Sequence, residues 1–476
     1  MTRLKPFRSP QTRATEAAAA EIDPSKKRWS REWIYFTVMM AAWCYIPFIR
    51  RLLDYRSGAY NPVQITSLIP FVMVLPLAFV SFKKERLARL TSAMKMFAWI
   101  WAAVFVYGFM VAAAFGVISA AGFELIQYLI PMIAGVWIAG QPLPVKQTAH
   151  RIALIILPLA SVAGVYGVLQ WISPPPWDVL WVLGSGFDSA GAPEPFVMRV
   201  FSTLNAPGPA ADFFTLAILL SLPVIRLKKA WTWPLLGVLG AALLLTLVRE
   251  AWIGLIFGTI LYLIFSPRRF AALPSLAAYA ALIVLLITAL PVLLGSGPSS
   301  DVITARISTL GDVGHDQSAL TRQGEITEAL QQGLENPMGT GLGTIGAASK
   351  LGTNPSSQLG NVLDSGYMAR LLTLGWVGCA GYVFVVLGAP FAIVLGIYRA
   401  GVAVTTEGRE AGAMAVAICG TLAWGDAAAD AHLGLNGMFF WIAVGLGSLA
   451  VRSITQSVPD EAPKRRPRYA SVSLSR

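Results

Sequence analysis

Only 3 cysteines and 3 histidines occur in 476 residues. Cys44, Cys379 and Cys419 each sit inside an apolar run. That placement excludes a disulfide framework and shows no metal-ligand spacing, so they read as small buried apolar residues. There is no His-Glu-x-x-His, no Gly-x-Ser-x-Gly, no Gly-Lys-Ser/Thr after a glycine-rich loop and no acid pair at metal spacing. Zinc hydrolase, serine hydrolase and P-loop chemistry therefore have no residues to stand on, and no cofactor or metal is expected. Charge is also scarce: 13% of residues, where soluble domains carry about 25%. The polar start, Met1 to Arg31, lacks the apolar core and cleavage pattern of a signal peptide.

What the chain has instead is apolar length. Hydrophobic residues make up 55% and the mean hydropathy is +0.62. Twelve windows are long enough to cross a bilayer, at about 17–25 residues each. Five fall between 33 and 172, four between 207 and 295, and three between 375 and 451. The expected fold is an all-α polytopic membrane protein of about 12 transmembrane helices, with a large periplasmic loop carrying short helices. The net charge of +12 is uneven. If residue 1 is cytoplasmic, the inward segments hold 28 of the 37 lysines and arginines and the outward segments 9. This asymmetry orients both termini to the cytoplasm, in an inner membrane, and explains the basic balance without nucleic acid. The expected organisation is a basic tail (1–32), a transmembrane scaffold (33–172), a periplasmic loop (173–206) and central helices (207–295). A large periplasmic loop with an interfacial helix (296–374), C-terminal helices (375–452) and a second basic tail (453–476) complete it.

Against this apolar background, three arginines stand at span boundaries. Arg199 closes an otherwise acidic loop and precedes Asn205-Ala-Pro207-Gly208. Arg249 interrupts a run of thirty-odd apolar residues at Leu247-Val-Arg249-Glu250-Ala-Trp252-Ile-Gly254. Arg322 lies in the largest polar loop. An arginine at membrane depth is costly and is normally paired or aimed into a cavity. For Arg249 the alternative is a surface turn with Glu250.

The large loop has a pattern. Ser318 to Leu334 predicts a helix with Leu320, Ile326, Leu330 and Leu334 on one face and Arg322 near its border. Glu325, three residues on, is placed to orient Arg322. Asn336-Pro337 ends the helix, and Met338-Gly339-Thr-Gly341-Leu-Gly343 makes a turn of a kind that can cradle phosphate with backbone N–H groups. Apolar residues from 367 to 398 are too many for one span, which predicts a re-entrant or interface-lying helix ending at Gly375 and then a true span. Asp364 stands just ahead of it, either as a reactive acid or as an ordinary helix N-cap. Three further polar features have bland readings: Glu124 as a helix-end acid at the outer interface, Arg50-Arg51 as snorkelling cations, and Asp426, Asp430, His432 and Asn436 as either a solvated turn or part of the same cavity.

In this order, Arg199-(x)5-Asn205-(x)-Pro207-Gly208, Leu247-Val-Arg249-Glu-Ala-Trp252-Ile-Gly254, Arg322 ahead of Asn336-Pro337-Met-Gly339-Thr-Gly341-Leu-Gly343, and Leu363-Asp364-Ser-Gly366-Tyr367 before Leu-Gly375-Trp-Val-Gly378 resemble the O-antigen ligase/polymerase superfamily. The resemblance implies metal-independent glycosyl transfer at the periplasmic face, from a glycan on undecaprenyl diphosphate. It implies diphosphate binding by Arg199, Arg249 and Arg322, with Asn205, Gly341, Gly343 and Tyr367 lining the substrate. Arginine forks suit phosphate, and fixed cations stabilise the charge that a diphosphate leaving group gains. The related ligases carry a histidine near the position of Asp364, where this chain has Asp-Ser-Gly-Tyr. That departure favours a polymerase of lipid-linked repeat units over a ligase, with Asp364 as base and Glu325 second. A chain-length regulator and membrane lipids are the expected partners. The rival from another class is a non-catalytic transporter or flippase, which would show internal repeats and broken helices near the midplane.

Overall fold

Inside a bilayer the backbone must satisfy its own hydrogen bonds, so apolar windows fold as helices. The computed structural model describes residues 29–61, 64–186, 188–223, 232–268, 317–346, 348–349, 365–399 and 405–455, with isolated positions between 270 and 284. Among these the regular structure is all helical. α1 (Arg31–Ser57) begins after Ser30 and ends at Gly58, whose φ of 77° closes the helix in the left-handed region. The second window is broken by Pro70 and Pro76 into short pieces, of which α2 is Leu75–Ser81. α3 (Ser92–Ala114) is capped by Thr91, whose hydroxyl accepts from the Met94 amide at 3.2 Å. Then come α4 (Ile118–Ala139), α5 (Val145–Ile172), the short α6 (Pro176–Ser185), α7 (Pro207–Ser221), α8 (Thr232–Leu245) and α9 (Arg249–Phe265). The last group is α10 (Gln317–Glu335), α11 (Gly366–Arg399), α12 (Thr406–Gly425) and α13 (Gly434–Thr455).

Six described helices, α1, α3, α4, α5, α11 and most of α13, are long and apolar enough to cross a membrane. α7 and the apolar part of α8 are shorter. α13 is the axis of the bundle and packs on α4, α11 and α12. Its crossing with α4 depends on glycine. A Cβ on Gly135 would strike the Trp441 carbonyl, and one on Gly445 would strike the Gly135 carbonyl. Lipid gives helices no hydrophobic drive to associate, so close backbone approach through small residues supplies the contact. Beside this crossing, Trp101, Phe105, Tyr128, Tyr382, Phe440 and Trp441 form an aromatic core of edge and stacked pairs.

The helix ends sort into two groups. At one end Arg86 pairs with Glu32 at 2.8 Å, Lys146 with Glu407 at 3.2 Å and Arg268 with Glu410 at 3.0 Å. Arg452 donates there to the carbonyls of Arg89, Ala139 and Gln141. Residues 29–33 and Arg452 therefore lie at the same, basic end. The opposite end gathers the C-terminus of α1, the α3–α4 and α8–α9 turns, α6, and the starts of α7, α11 and α13.

Candidate active site

At that opposite end the loop before α7 is fixed by a buried electrostatic chain. Arg51 is 0% exposed and its Nε lies 3.3 Å from Asp178 Oδ1. Asp178 Oδ2 accepts from Tyr166 Oη and Gln170 Nε2, both at 2.6 Å. Gln170 Oε1 in turn accepts the amides of Phe201 (3.0 Å) and Ser202 (2.8 Å), and Arg51 donates to the Ser202 carbonyl. Ser202 is thereby held at φ 52°, a conformation few side-chain-bearing residues adopt. Burial raises the Asp178 carboxyl above the usual carboxylate range, opposed by the Arg51 charge and the two hydrogen bonds. The snorkelling expected of Arg50-Arg51 is overturned: Arg51 points inward to an acid, and Arg50 lies 4.9 Å over the Trp181 ring.

This loop sets Arg199. Its Nε donates to the Thr246 carbonyl at 3.0 Å, Nη1 to Ser189 at 2.8 Å and Nη2 to Leu247 at 3.4 Å. The next residue, Val200, donates its amide to Leu245 at 3.0 Å. Arg199 thus grips the C-terminal carbonyls of α8, where a cation is favoured by the helix dipole. Leu247, at φ 54°, reverses the chain, and Arg249 opens α9 two residues later. Two of the expected arginines are therefore brought to one turn. A cation in the first turn of a helix opposes the dipole, so Arg249 is a poor choice for helix stability alone. Asn205 is half-buried. Its carbonyl accepts from Trp181 Nε1 at 3.3 Å, while its side-chain oxygen is buried with no hydrogen-bond partner among the described residues. Nearby, Asp212 of α7 accepts from Asn436 of α13 at 2.6 Å.

α10 runs to Glu335 and stops before Asn336-Pro337 as expected, but its buried face differs. Ala329 and Gly333 are buried against α11, while Ile326 (39%), Leu330 (40%) and Leu334 (72%) are exposed. The close seat needs small residues, since a Cβ on Gly333 would already crowd Leu371. Glu325 is half-buried on this helix. Position 322 lies on its backbone, one turn earlier, and the Arg322 side chain lies outside the described residues.

The glycine turn is an anchor rather than a phosphate cradle. α11 breaks at Gly375 (φ 65°, ψ −175°), where the sequence places the end of the first helix. The break diverts the Trp376 amide to the Pro337 carbonyl at 3.1 Å. Thr340 and Gly341 donate to the carbonyls of Leu372 (2.8 Å) and Thr373 (2.9 Å), Leu342 to Gly108 (3.0 Å), and Gly343 to a Glu124 carboxylate oxygen. Four successive amides are thus taken by the protein. Gly341 and Gly343 have φ of 89° and 74°, and a Cβ on either would meet the backbone of Ala112 or of Ala120–Ala121. Their glycine identity follows from close packing. The stretch 366–374 is likewise enclosed, with Ala369 through Gly375 buried.

Asp364 lies outside the described residues. Ser365 directly precedes α11; its carbonyl accepts from the Ala369 amide at 2.9 Å and its hydroxyl from the Met368 amide at 3.5 Å. Ser365 thus stands at the N-cap position of α11. Tyr367 turns its hydroxyl to the Ala423 carbonyl at 2.8 Å.

The residue the sequence reading passed over is Arg370. It is 3% exposed, 2.5 Å from Glu124 and 3.1 Å from Asp430, and lies 4.8 Å over the Tyr128 ring. Glu124 is thus a buried ion-pair partner in the second turn of α4. Asp426 and His432 are both 0% exposed and 3.3 Å apart, and Tyr382 Oη donates to Asp426 at 2.8 Å, so the last hairpin is no solvated turn. The signal available was complementary: a lone acid in one apolar run and a lone arginine in another imply a pair.

Compared with known proteins, residues 234–383 match a family model described as O-antigen ligase. The match starts in α8 and ends in α11, so it includes Arg249, Arg322, the glycine turn, Asp364, Tyr367 and Arg370. Arg199, Asn205 and Glu124 lie outside it. A search of curated proteins found no match.

Proposed function

We propose that this end of the bundle transfers a glycan from a lipid diphosphate, polymerising undecaprenyl-diphosphate-linked repeat units, a reading supported by the match of residues 234–383 to the O-antigen ligase family model. The observation that carries the reading is the junction of Arg199 with the turn that launches Arg249. A guanidinium held by main-chain carbonyls is pre-oriented, and the second arginine adds its charge to the positive end of α9. Such a site suits an anion with several oxygens. As the glycosidic bond breaks, negative charge moves onto the diphosphate, and cations fixed beforehand stabilise it without reorganising. In this proposal Arg322 of α10 is the third cation, and the exposed Ile326, Leu330 and Leu334 of that helix offer an apolar strip for the isoprenoid chain. Asp364 takes the proton of the attacking hydroxyl, with Glu325 as the second candidate.

The chemistry faces the periplasm in this proposal, with twelve crossings and both termini cytoplasmic. The positive-inside bias of the sequence and the placement of residues 29–33 with Arg452 at one basic end support it. The family description favours a second reading, in which a finished glycan is moved to a different acceptor. Purified protein given synthetic diphosphate-linked repeat units separates the two. A ladder of lengthened glycans is the expected product. Transfer only to an added lipid acceptor establishes the ligase, and no product with either removes the transferase reading in favour of transport.

A further inference from the structure

A cavity of 510 Å³ lies at the basic end, far from the arginine turn, among the start of α1, the α4–α5 connection and the first turns of α5. Its wall includes Arg31, Glu32, Trp33, Arg86, Gln141 and Arg151. Three arginines face one acid. Arg86 is anchored: Nη2 donates to both oxygens of Glu32 (3.0 and 2.8 Å), and Nη1 reaches the Gln141 amide oxygen at 3.1 Å. Arg151 is different. It is 7% exposed and lies over the rings of Trp29 (5.6 Å) and Trp33 (5.5 Å), with no carboxylate partner among the described residues. Trp33 Nε1 is buried and likewise has no acceptor there. A guanidinium stacked over two indoles, lining one cavity with Arg31 and the anchored Arg86, suits an anionic oxygen acceptor.

We propose that this cavity holds the phosphate headgroup of an anionic phospholipid. Its position fits, because it lies where membrane helices begin and end. Ile34 and Val38 on α1 (both 53% exposed) and Leu154 on α5 (46%) lead from it along lipid-facing surface, as a path for acyl chains. A small soluble phosphate would meet the same arginines but use no such path. Basic pockets between helices at the inner leaflet bind acidic headgroups by this combination of fixed cations and apolar flanks. The inference needs only the membrane-spanning reading and not the transferase chemistry.

The test is lipid retention by the full-length protein. Delipidated protein is titrated with phosphatidylglycerol or phosphatidylcholine in detergent and the bound lipids are counted by native mass spectrometry. Wild type is expected to bind one phosphatidylglycerol in preference to phosphatidylcholine. Arg151→Gln and Arg31→Gln should each weaken it by about tenfold to a hundredfold, the loss of one charge-assisted contact. Arg31 is exposed at the helix start, so its variant tests the site even if Arg151→Gln does not fold, and Arg89→Gln, outside the wall, should bind as wild type. Equal retention of both lipids, or no change in Arg31→Gln, overturns the proposal. Glycerol phosphate displacing the lipid at matching concentration overturns the lipid assignment in favour of a soluble phosphate.

Discussion

Arg370 is 3% exposed and bridges carboxylates from two other segments, whereas Arg199 is half-buried at the rim and rests on main-chain carbonyls. Both are arginines at the same end of one bundle. The first is matched to acids at 2.5 and 3.1 Å, so its removal strands buried charge. The second is only half-buried and is oriented by main-chain carbonyls. Deep burial between two carboxylates suits Arg370 to hold the frame, and in the proposed reaction the oriented, half-buried Arg199 is the one that meets substrate.

The comparison can be broken by experiment, most strongly at Arg370. Arg370→Ala should destabilise the protein by about 3–5 kcal/mol, because Glu124 and Asp430 lose their counter-charge. Thermal unfolding in detergent measures this, and Glu124→Gln combined with Arg370→Gln should recover part of the loss. An Arg370→Ala protein with wild-type stability and no product would move Arg370 into the substrate site. Next in size, Arg199→Ala and Arg249→Ala should each lower glycan transfer by about 10²–10³-fold in proteins that still insert and elute as folded monodisperse species. Lysine at either position should rescue poorly, since it lacks the planar fork. Wild-type turnover in both alanine variants would leave the rim arginines without a role.

Asp364→Asn is expected to slow turnover by about 10²-fold while donor binding persists. Because Ser365 fills the cap, a silent variant points to Glu325 as the base and not to capping. The smallest effect concerns the Arg51–Asp178 pair. Burial raises the Asp178 carboxyl in the folded state. Its stabilising contribution is therefore fully present below the ordinary carboxylate value of about 4 and is lost as pH rises through the raised folded value. Melting curves from pH 4 to 7 should show wild type losing more Tm than Asp178→Asn across this window. Identical slopes would show that the Arg51 charge balances burial, and a wild type that gains Tm over the window would show that it outweighs burial.

The sequence determined the features that depend on near neighbours. Apolar length specified helices, because lipid leaves the backbone no other partner. Asn336-Pro337 stopped α10, prolines broke the second window, and Gly375 marked the break in α11, all through local backbone geometry. The ordered arginine motifs indicated a family, and the match over 234–383 supports it. The sequence could not show which charges meet. Glu124 and Arg370 are 246 residues apart, Arg51 and Asp178 even lie in different loops of the expected topology, and only packing of α1, α4, α6 and α11 brings them together. The glycine turn misled for the same reason. Its composition is equally suited to holding phosphate or to packing on a neighbour, and the choice was made by the carbonyls of Gly108, Leu372 and Thr373, which take its amides. Tertiary structure alone decided which polar groups face each other and which remain at the rim, because desolvation and pairing are set by neighbours distant in the chain.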